Sequence, residues 1–279
     1  MAPVDSSIIG TPSRNAEHER RDHVQSVERA LAVLRVLAEE GAPLRLAEVQ
    51  RKTGLQKTVV HRLLRTLVAA RFVEQDSEGA GFHIGLGAFE VARAYPHAES
   101  LITLSHRFLR DLVAGSPYTA YVAELDGFDI VYLAVVEGTG PLRVYVTPGS
   151  RIRAYATAVG KALLAELDDD EIARRANAHE FEQLTPSTIT STSRLLEEVR
   201  LVREQGYALN HEEAYPGIGA IAAVVRGVSR KATVGITVAY ATSLLGASDL
   251  SEWIERTTTT ALEISAAIGT IGEHGMLGT

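Results

Sequence analysis

The stretch from Arg45 to Arg71 carries seven basic residues, Arg45, Arg51, Lys52, Lys57, Arg62, Arg65 and Arg71, and a single acid, Glu48. Guanidinium and ammonium groups at this density suit phosphate, and Arg also suits the O6/N7 edge of guanine. Their spacing puts them on one side of a helix. At about 100° per residue, with Val60 as zero, Leu63, Leu64 and Leu67 lie within about 60° of it. Thr58, Arg62 and Arg65 fall within about 40° of the opposite pole, flanked by Lys57 and His61 on one side and Thr66 on the other. An ordinary surface helix mixes charge signs. Between Arg51 and Arg71 there is no acid, so nucleic-acid contact outweighs a merely hydrated face.

The elements that must hold this face follow from the pattern around it. Val27, Ala30, Leu31, Leu34, Leu37 and Ala38 predict a first helix, with Ser26 as its cap and Gly41 and Pro43 as its stop. A second helix is expected over residues 46–53, broken by Gly54, and a third over 57–70. Helix, glycine turn, helix is the helix-turn-helix layout. Residues 72–74 and 81–84 read as two strands around a turn at 77–79. A hairpin in that place is a wing that tracks the phosphate backbone.

Net charge is −7 over 279 residues. That sum hides an asymmetry. Residues 1–97 are +1, the segment 45–71 is +6, and residues 98–279 are −8. A basic module is thus joined to a larger acidic one. The absence of cysteine excludes disulfides and thiolate chemistry. No apolar run is long enough for a membrane span, and residues 1–22 lack the pattern of a secretory signal. A cytoplasmic protein without membrane partners is expected.

Downstream, Leu101, Leu104, Phe108 and Leu112 predict an amphipathic helix. Strands are expected over 119–125 and 130–136, joined at Asp126-Gly127, then over 142–146 and 233–239, with an apolar run at 220–225. Helices are expected over 193–205 and 248–267. Strands in meander order with helices at the ends give an α+β fold with an antiparallel sheet.

Enzyme motifs are incomplete. Gly160-Lys161 lacks the first glycine and the Ser/Thr of a phosphate-binding loop. Gly217-Ile218-Gly219 lacks the third glycine of a dinucleotide fingerprint. His211-Glu212-Glu213 lacks a second histidine, and no Gly-x-Ser-x-Gly occurs. The acids 168–171 read as a helix start. No catalytic residue, metal ligand or cofactor is assigned. A C-terminal unit with catalytic activity is the alternative from another class.

Several blocks together resemble the IclR family of bacterial transcriptional regulators. They are SVERAL (26–31), LAEV (46–49), GLQKTVVHRLLRTL (54–67), GLG (85–87), ATAVGKALLA (156–165), LTPSTIT (184–190), GYA (206–208) with Glu212-Glu213, and PGIGAIA (216–222). The sequence departs from the family at Gln56, usually Pro, at Val59, usually Thr, and at Arg45, where a serine cap is common.

The resemblance implies an N-terminal winged helix-turn-helix (23–86) after a mobile tail (1–22). A linker helix (87–98), a C-terminal GAF-like effector-binding domain (99–272) and a short tail (273–279) follow. It implies a ligand-responsive regulator, a repressor of a catabolic operon. Its partners would be double-stranded operator DNA, a small organic acid or aromatic effector, and itself, as dimer or tetramer. DNA contacts would fall on Arg45, Gln56, Lys57, Thr58, Val59, His61, Arg62 and Arg65. Effector contacts would fall on Val144, Ala158, Val159, Asn210, Ala220, Thr237 and Ala239, with Tyr155, Gly160 and Tyr121 near them. Small residues at 156–160 let a ligand approach backbone, and a helix starting near Gly160 would present free amides to a carboxylate. Alanine at 220 and 239 predicts a roomy, apolar pocket.

Overall fold

The structure, a computed structural model, describes residues 23–76, 81–95, 100–140, 146–227 and 232–275. The expected tail 1–22, wing turn 77–79, linker residues 96–98, most of the 142–146 strand with Val144, and the last four residues lie outside that set. The chain divides into two units, Met1–Ala94 and Tyr95–Thr279.

In the first unit, α1 (Gln25–Glu40), α2 (Leu46–Thr53) and α3 (Lys57–Ala69) surround Val33, Leu37, Val49, Val60 and Leu64. Gly41 and Gly54 end α1 and α2 in the left-handed region, at φ 61° and 67°. The predicted cap of α1 is wrong. The helix begins at Gln25 with Val24 at the cap position, so Ser26 lies inside the first turn and caps nothing. At α2 the cap residue is Arg45, whose side chain has no acceptor. Glu48 supplies the other half of a capping box, accepting from the Arg45 N–H at 2.8 Å.

The wing is β1 (Val73–Gln75) and β2 (Phe82–Ile84), antiparallel with Val73 opposite Ile84. Then α4 (Leu86–Ala92) begins in the GLG block. The Gly87 N–H donates to the Arg71 carbonyl, and a Cβ at Gly85 would stand 2.5 Å from that oxygen. The two glycines let the chain cross tightly over the end of α3.

The second unit is a six-stranded antiparallel sheet formed by β3 (Thr119–Asp126), β4 (Asp129–Glu137), β5 (Arg151–Arg153), β6 (Ala208–His211), β7 (Ile218–Arg226) and β8 (Ala232–Ala241). Its order is β5-β4-β3-β8-β7-β6. This corrects the single meander. Two three-stranded meanders meet where β3 pairs β8, Tyr121 opposite Thr237. β5, which pairs with β4 at Ile130 opposite Ile152, was not expected from the sequence.

Helices α5 (Ser100–Val113) and α9 (Ala247–Gly275) cover one face, burying Leu109, Leu112, Ile236, Trp253 and Ile264. Helices α6 (Ala158–Leu164), α7 (Asp169–Asn177) and α8 (Thr192–Gln205) cover the other, with Phe128, Tyr155, Leu163, Ile172, Leu195 and Val199. The acids at 168–171 start α7 as expected. Asp168 accepts from the Glu171 N–H, Asp169 pairs with Arg200 and Arg203, and Glu171 with Arg174 and Arg175. The two arginines hold the Glu171 carboxyl down at about 2.

One buried ion pair ties the second face together. Lys161 on α6 is 1% exposed, and its ammonium donates to both Glu213 oxygens at 2.6 and 2.8 Å. Removing one partner of a buried pair strands the other charge. Lys161→Met is expected to cost about 3–5 kcal/mol, and adding Glu213→Leu to recover most of it. Urea unfolding followed by Trp253, the single tryptophan and a residue of the second unit, measures both; equal stability of wild type and Lys161→Met would contradict the pair's role.

Candidate DNA-binding face and effector cleft

On α3, Val60, Leu64 and Leu67 are buried and Leu63 is half-buried, as the angular reading requires. Gln56, Lys57, Thr58, His61, Arg62 and Arg65 are exposed, and so is Arg45 at the start of α2. Among the described residues, none of Lys57, Arg62 and Arg65 has a carboxylate partner. Three cations therefore stand free on one helix face. Val59 is different. It is half-buried and lines the groove between α1 and α3, which takes it off the solvent face.

In the second unit a cleft of about 40 Å³ opens between the sheet and the start of α6. It gathers Ala158, Val159, Asn210, Ala220, Thr237 and Ala239 from four separate segments, with Tyr121 of a fifth beside them. These are the expected residues of the effector set. The 220/237/239 members come together because β7 and β8 pair with Ala220 opposite Ala239 and Ala222 opposite Thr237. Their small side chains and alternate spacing leave one sheet face low at this point.

Two expected members stand elsewhere. Tyr155 is fully buried against Phe128 and Phe181, and its hydroxyl both donates to the Glu182 carbonyl and accepts from the Glu182 N–H. Gly160 is a packing glycine. A Cβ there would meet the Ala154 carbonyl oxygen at 2.2 Å. Its N–H is also occupied, donating to the Thr157 hydroxyl that caps α6. The amides offered to a carboxylate are thus fewer than the sequence suggested, on a helix of only seven residues. Gly235 works in the same way, clearing space for Val159.

The two polar candidates are already engaged. The Asn210 side chain donates to the Ala156 carbonyl at 2.6 Å and accepts from the Glu213 N–H at 3.2 Å. The Thr237 hydroxyl donates to the Ile221 carbonyl at 2.8 Å. Glu212 and Glu213 brace the adjoining turn. The Glu212 carboxyl is held below its ordinary value by the Gly217 backbone and the Thr242 hydroxyl. Glu213 takes the Lys161 ammonium, while its carbonyl accepts from Thr188.

Sequence reasoning missed Tyr132, Val146, Ile152, Thr157, Ala214, Tyr215 and Ile218, which also line the cleft. Tyr121, Tyr132 and Tyr215 line the cleft together with the alanines, and at about 40 Å³ it is small where a roomy pocket was expected. Tyr121 and Tyr132 pack edge to face with centroids 5.1 Å apart. Burial pushes the Tyr121 phenol up to about 12 and that of Tyr132 up as well. Both are therefore neutral donors at physiological pH.

Residues 26–77 match the IclR helix-turn-helix domain, and residues 93–266 match the C-terminal domain of the bacterial transcriptional regulator IclR. The transcriptional repressor AllR of Escherichia coli K12 is 31% identical over 260 residues, covering 93% of this chain and 96% of AllR. The crystal structure of an IclR transcriptional regulator from Alicyclobacillus acidocaldarius superposes with a TM-score of 0.74 at 27% identity, covering 88% of this chain and 98% of that one. An IclR homologue from Microbacterium hydrocarbonoxydans, solved with 4-hydroxybenzoate, shares the fold at a TM-score of 0.76 and 15% identity, covering 87% and 98%. The chain belongs to the IclR family of transcriptional regulators, with a helix-turn-helix domain that binds DNA and a C-terminal domain that binds an effector.

Proposed function

We propose that the protein is a repressor that reads operator DNA with the exposed face of α3 and releases or tightens its grip when a small molecule enters the C-terminal cleft. Residues 23–86 form the DNA-binding unit, 87–98 the connection and 99–272 the effector unit. The observation that carries the DNA assignment is the unpaired cationic face of Lys57, Arg62 and Arg65, with Thr58, His61, Gln56 and Arg45 around it. Cations that have no internal partner gain most when they displace counterions from phosphate. Arg62 and Arg65 reach base edges or phosphates.

The C-terminal cleft takes the effector and has no catalytic role. Its liners among the described residues are phenols, hydroxyls, an amide and aliphatic groups, and none is a nucleophile set beside a general base. The protein works as a homo-oligomer, dimer or tetramer, in the cytoplasm. Effector binding changes DNA affinity only by the difference between its affinities for the two states of the protein. That 4-hydroxybenzoate occupies a homologue of the same fold supports a small acid or aromatic compound as the general ligand class.

Arg62→Ala and Arg65→Ala are each expected to weaken binding to the DNA upstream of the protein's own gene by about 1–3 kcal/mol. Fluorescence anisotropy at fixed salt measures the loss, and unchanged affinity in both variants would remove these residues from the interface. With wild-type protein, affinity is expected to fall steeply as salt rises, because several phosphates are neutralised together. A flat salt dependence would mean that the cationic face is not what holds the DNA.

A further inference from the structure

The wing has the wrong charge for its place. Between Arg71 and Arg93 the sequence has no Lys or Arg, while Glu74, Asp76, Glu78 and Glu90 fall in that stretch. A hairpin set to follow phosphates thus carries acids, which phosphates repel. The one side chain of the stretch that can become positive is His83, on β2.

His83 stands opposite Glu74 across the hairpin. Its Nε2 lies 3.6 Å from Glu74 Oε2, and its Nδ1 lies 3.3 Å from Asp76 Oδ1. Nδ1 is buried and makes no hydrogen bond. Both acids are fixed by backbone. The Leu86 N–H donates to Glu74 Oε1 at 3.3 Å, and the Asp76 N–H donates to the Gly81 carbonyl at 2.9 Å. A Cβ at Gly81 would stand 2.6 Å from Asp76 Oδ2, so glycine makes the room for that carboxylate.

Other charges stand apart from the ring. Phe82 and Ile84 join the core with Val33 and Leu37, and alternation puts His83 on the opposite face of the strand. On the core side α1 brings Arg35, Glu39 and Glu40, of which Glu40 pairs with Lys52. The segment bridged to Phe82 at Leu44 leads to Arg45, and α4 brings Glu90. Among the described residues, only Glu74 and Asp76 place a carboxylate within 4 Å of the imidazole. A neutral imidazole has one N–H and one lone pair. Either tautomer therefore turns a lone pair toward one of the two acids, and only the imidazolium presents an N–H to both.

We propose that His83 is a proton-binding site that couples operator affinity to pH, with the protonated wing as the form that lies along the DNA backbone. This rests on the reading of the first unit as the operator-binding unit. The proton removes one negative charge from the wing where phosphates come near. By linkage, DNA raises the proton affinity of the ring by the same factor as the proton raises affinity for DNA. The sign follows. Binding is tighter when the ring is charged and weakens as pH rises through the range of about 5–8 in which imidazoles titrate.

The test uses the full chain and the DNA upstream of its own gene, with fluorescence anisotropy at about pH 6 and about pH 8 and fixed salt. The wild type is expected to bind more tightly at the lower pH. The ratio of its two affinities is expected to exceed that of His83→Gln by about threefold or more. His61 on α3 titrates in both proteins, so its effect cancels in this comparison. His83→Lys keeps its charge at both pH values, and at the higher one it is expected to bind about threefold or more tightly than the wild type. A ring with a purely structural role would give no such gain. Equal pH ratios in wild type and His83→Gln overturn the proposal, and so does a His83→Lys protein that gains nothing at the higher pH. If His83→Gln fails to fold, the result with His83→Lys decides alone. A wild type that binds this DNA at neither pH defeats the operator-binding reading, and the proposal with it.

Discussion

The buried pair of Lys161 and Glu213 is the constraint around which the C-terminal unit is arranged. Taking two charges out of water costs several kcal/mol each, and attraction alone does not restore it unless the remaining donors and acceptors are also satisfied. Here they are. The ammonium meets both carboxylate oxygens, with Glu198 at 3.8 Å as a second acid. The backbone around Glu213 is held by Asn210, Thr185 and Thr188. Asn210 passes the constraint on to the Ala156 carbonyl, immediately before α6. One wall of the cleft therefore cannot shift without disturbing a buried charge.

Close approach of α6 to the sheet is the second half of the same design. Gly160 lies on the Ala154 backbone and Gly235 makes way for Val159. The small residues between 156 and 160 serve helix packing first, and the cleft is what remains beside them. This also explains why Lys161 is buried at all. A helix that sits so near the sheet carries its next side chain into the interior, where only an acid can receive it.

Much of this was legible in the sequence. The helices of the first unit follow from apolar spacing, because burial of one face leaves a periodic mark. The exposed cations of α3 follow from the same angles. The start of α1 did not, since Val24 takes the cap position without a side-chain bond and a nearby serine is a misleading signal. The order of the sheet was hidden because the β3–β8 pairing joins segments more than a hundred residues apart, and local alternation says nothing about partners. Six of the expected effector residues meet at the cleft, carried there by family resemblance. Tyr155 and Gly160 do not, because an aromatic or a glycine near a site has the same letter whether it lines the site or supports it. Tyr132 was missed for a stricter reason. A bulge changes which face a residue occupies, and only the pairing of two strands reveals it.

A narrow cleft limits what any effector can achieve. The best small ligands gain at most about 1.5 kcal/mol per non-hydrogen atom, so a molecule of four such atoms has a ceiling near 6 kcal/mol. Moving a two-state protein from almost wholly one form to almost wholly the other requires a difference in affinity of about 5.5 kcal/mol. A compact effector can reach that only if nearly all of its binding energy is lost in the disfavoured state. Apolar contact with alanines does not discriminate so sharply, because such contact falls away gradually as walls separate. A hydrogen bond is lost over a fraction of an ångström, so polar groups set against a wall that the Lys161–Glu213 network holds still discriminate between two states far more steeply than apolar contact does.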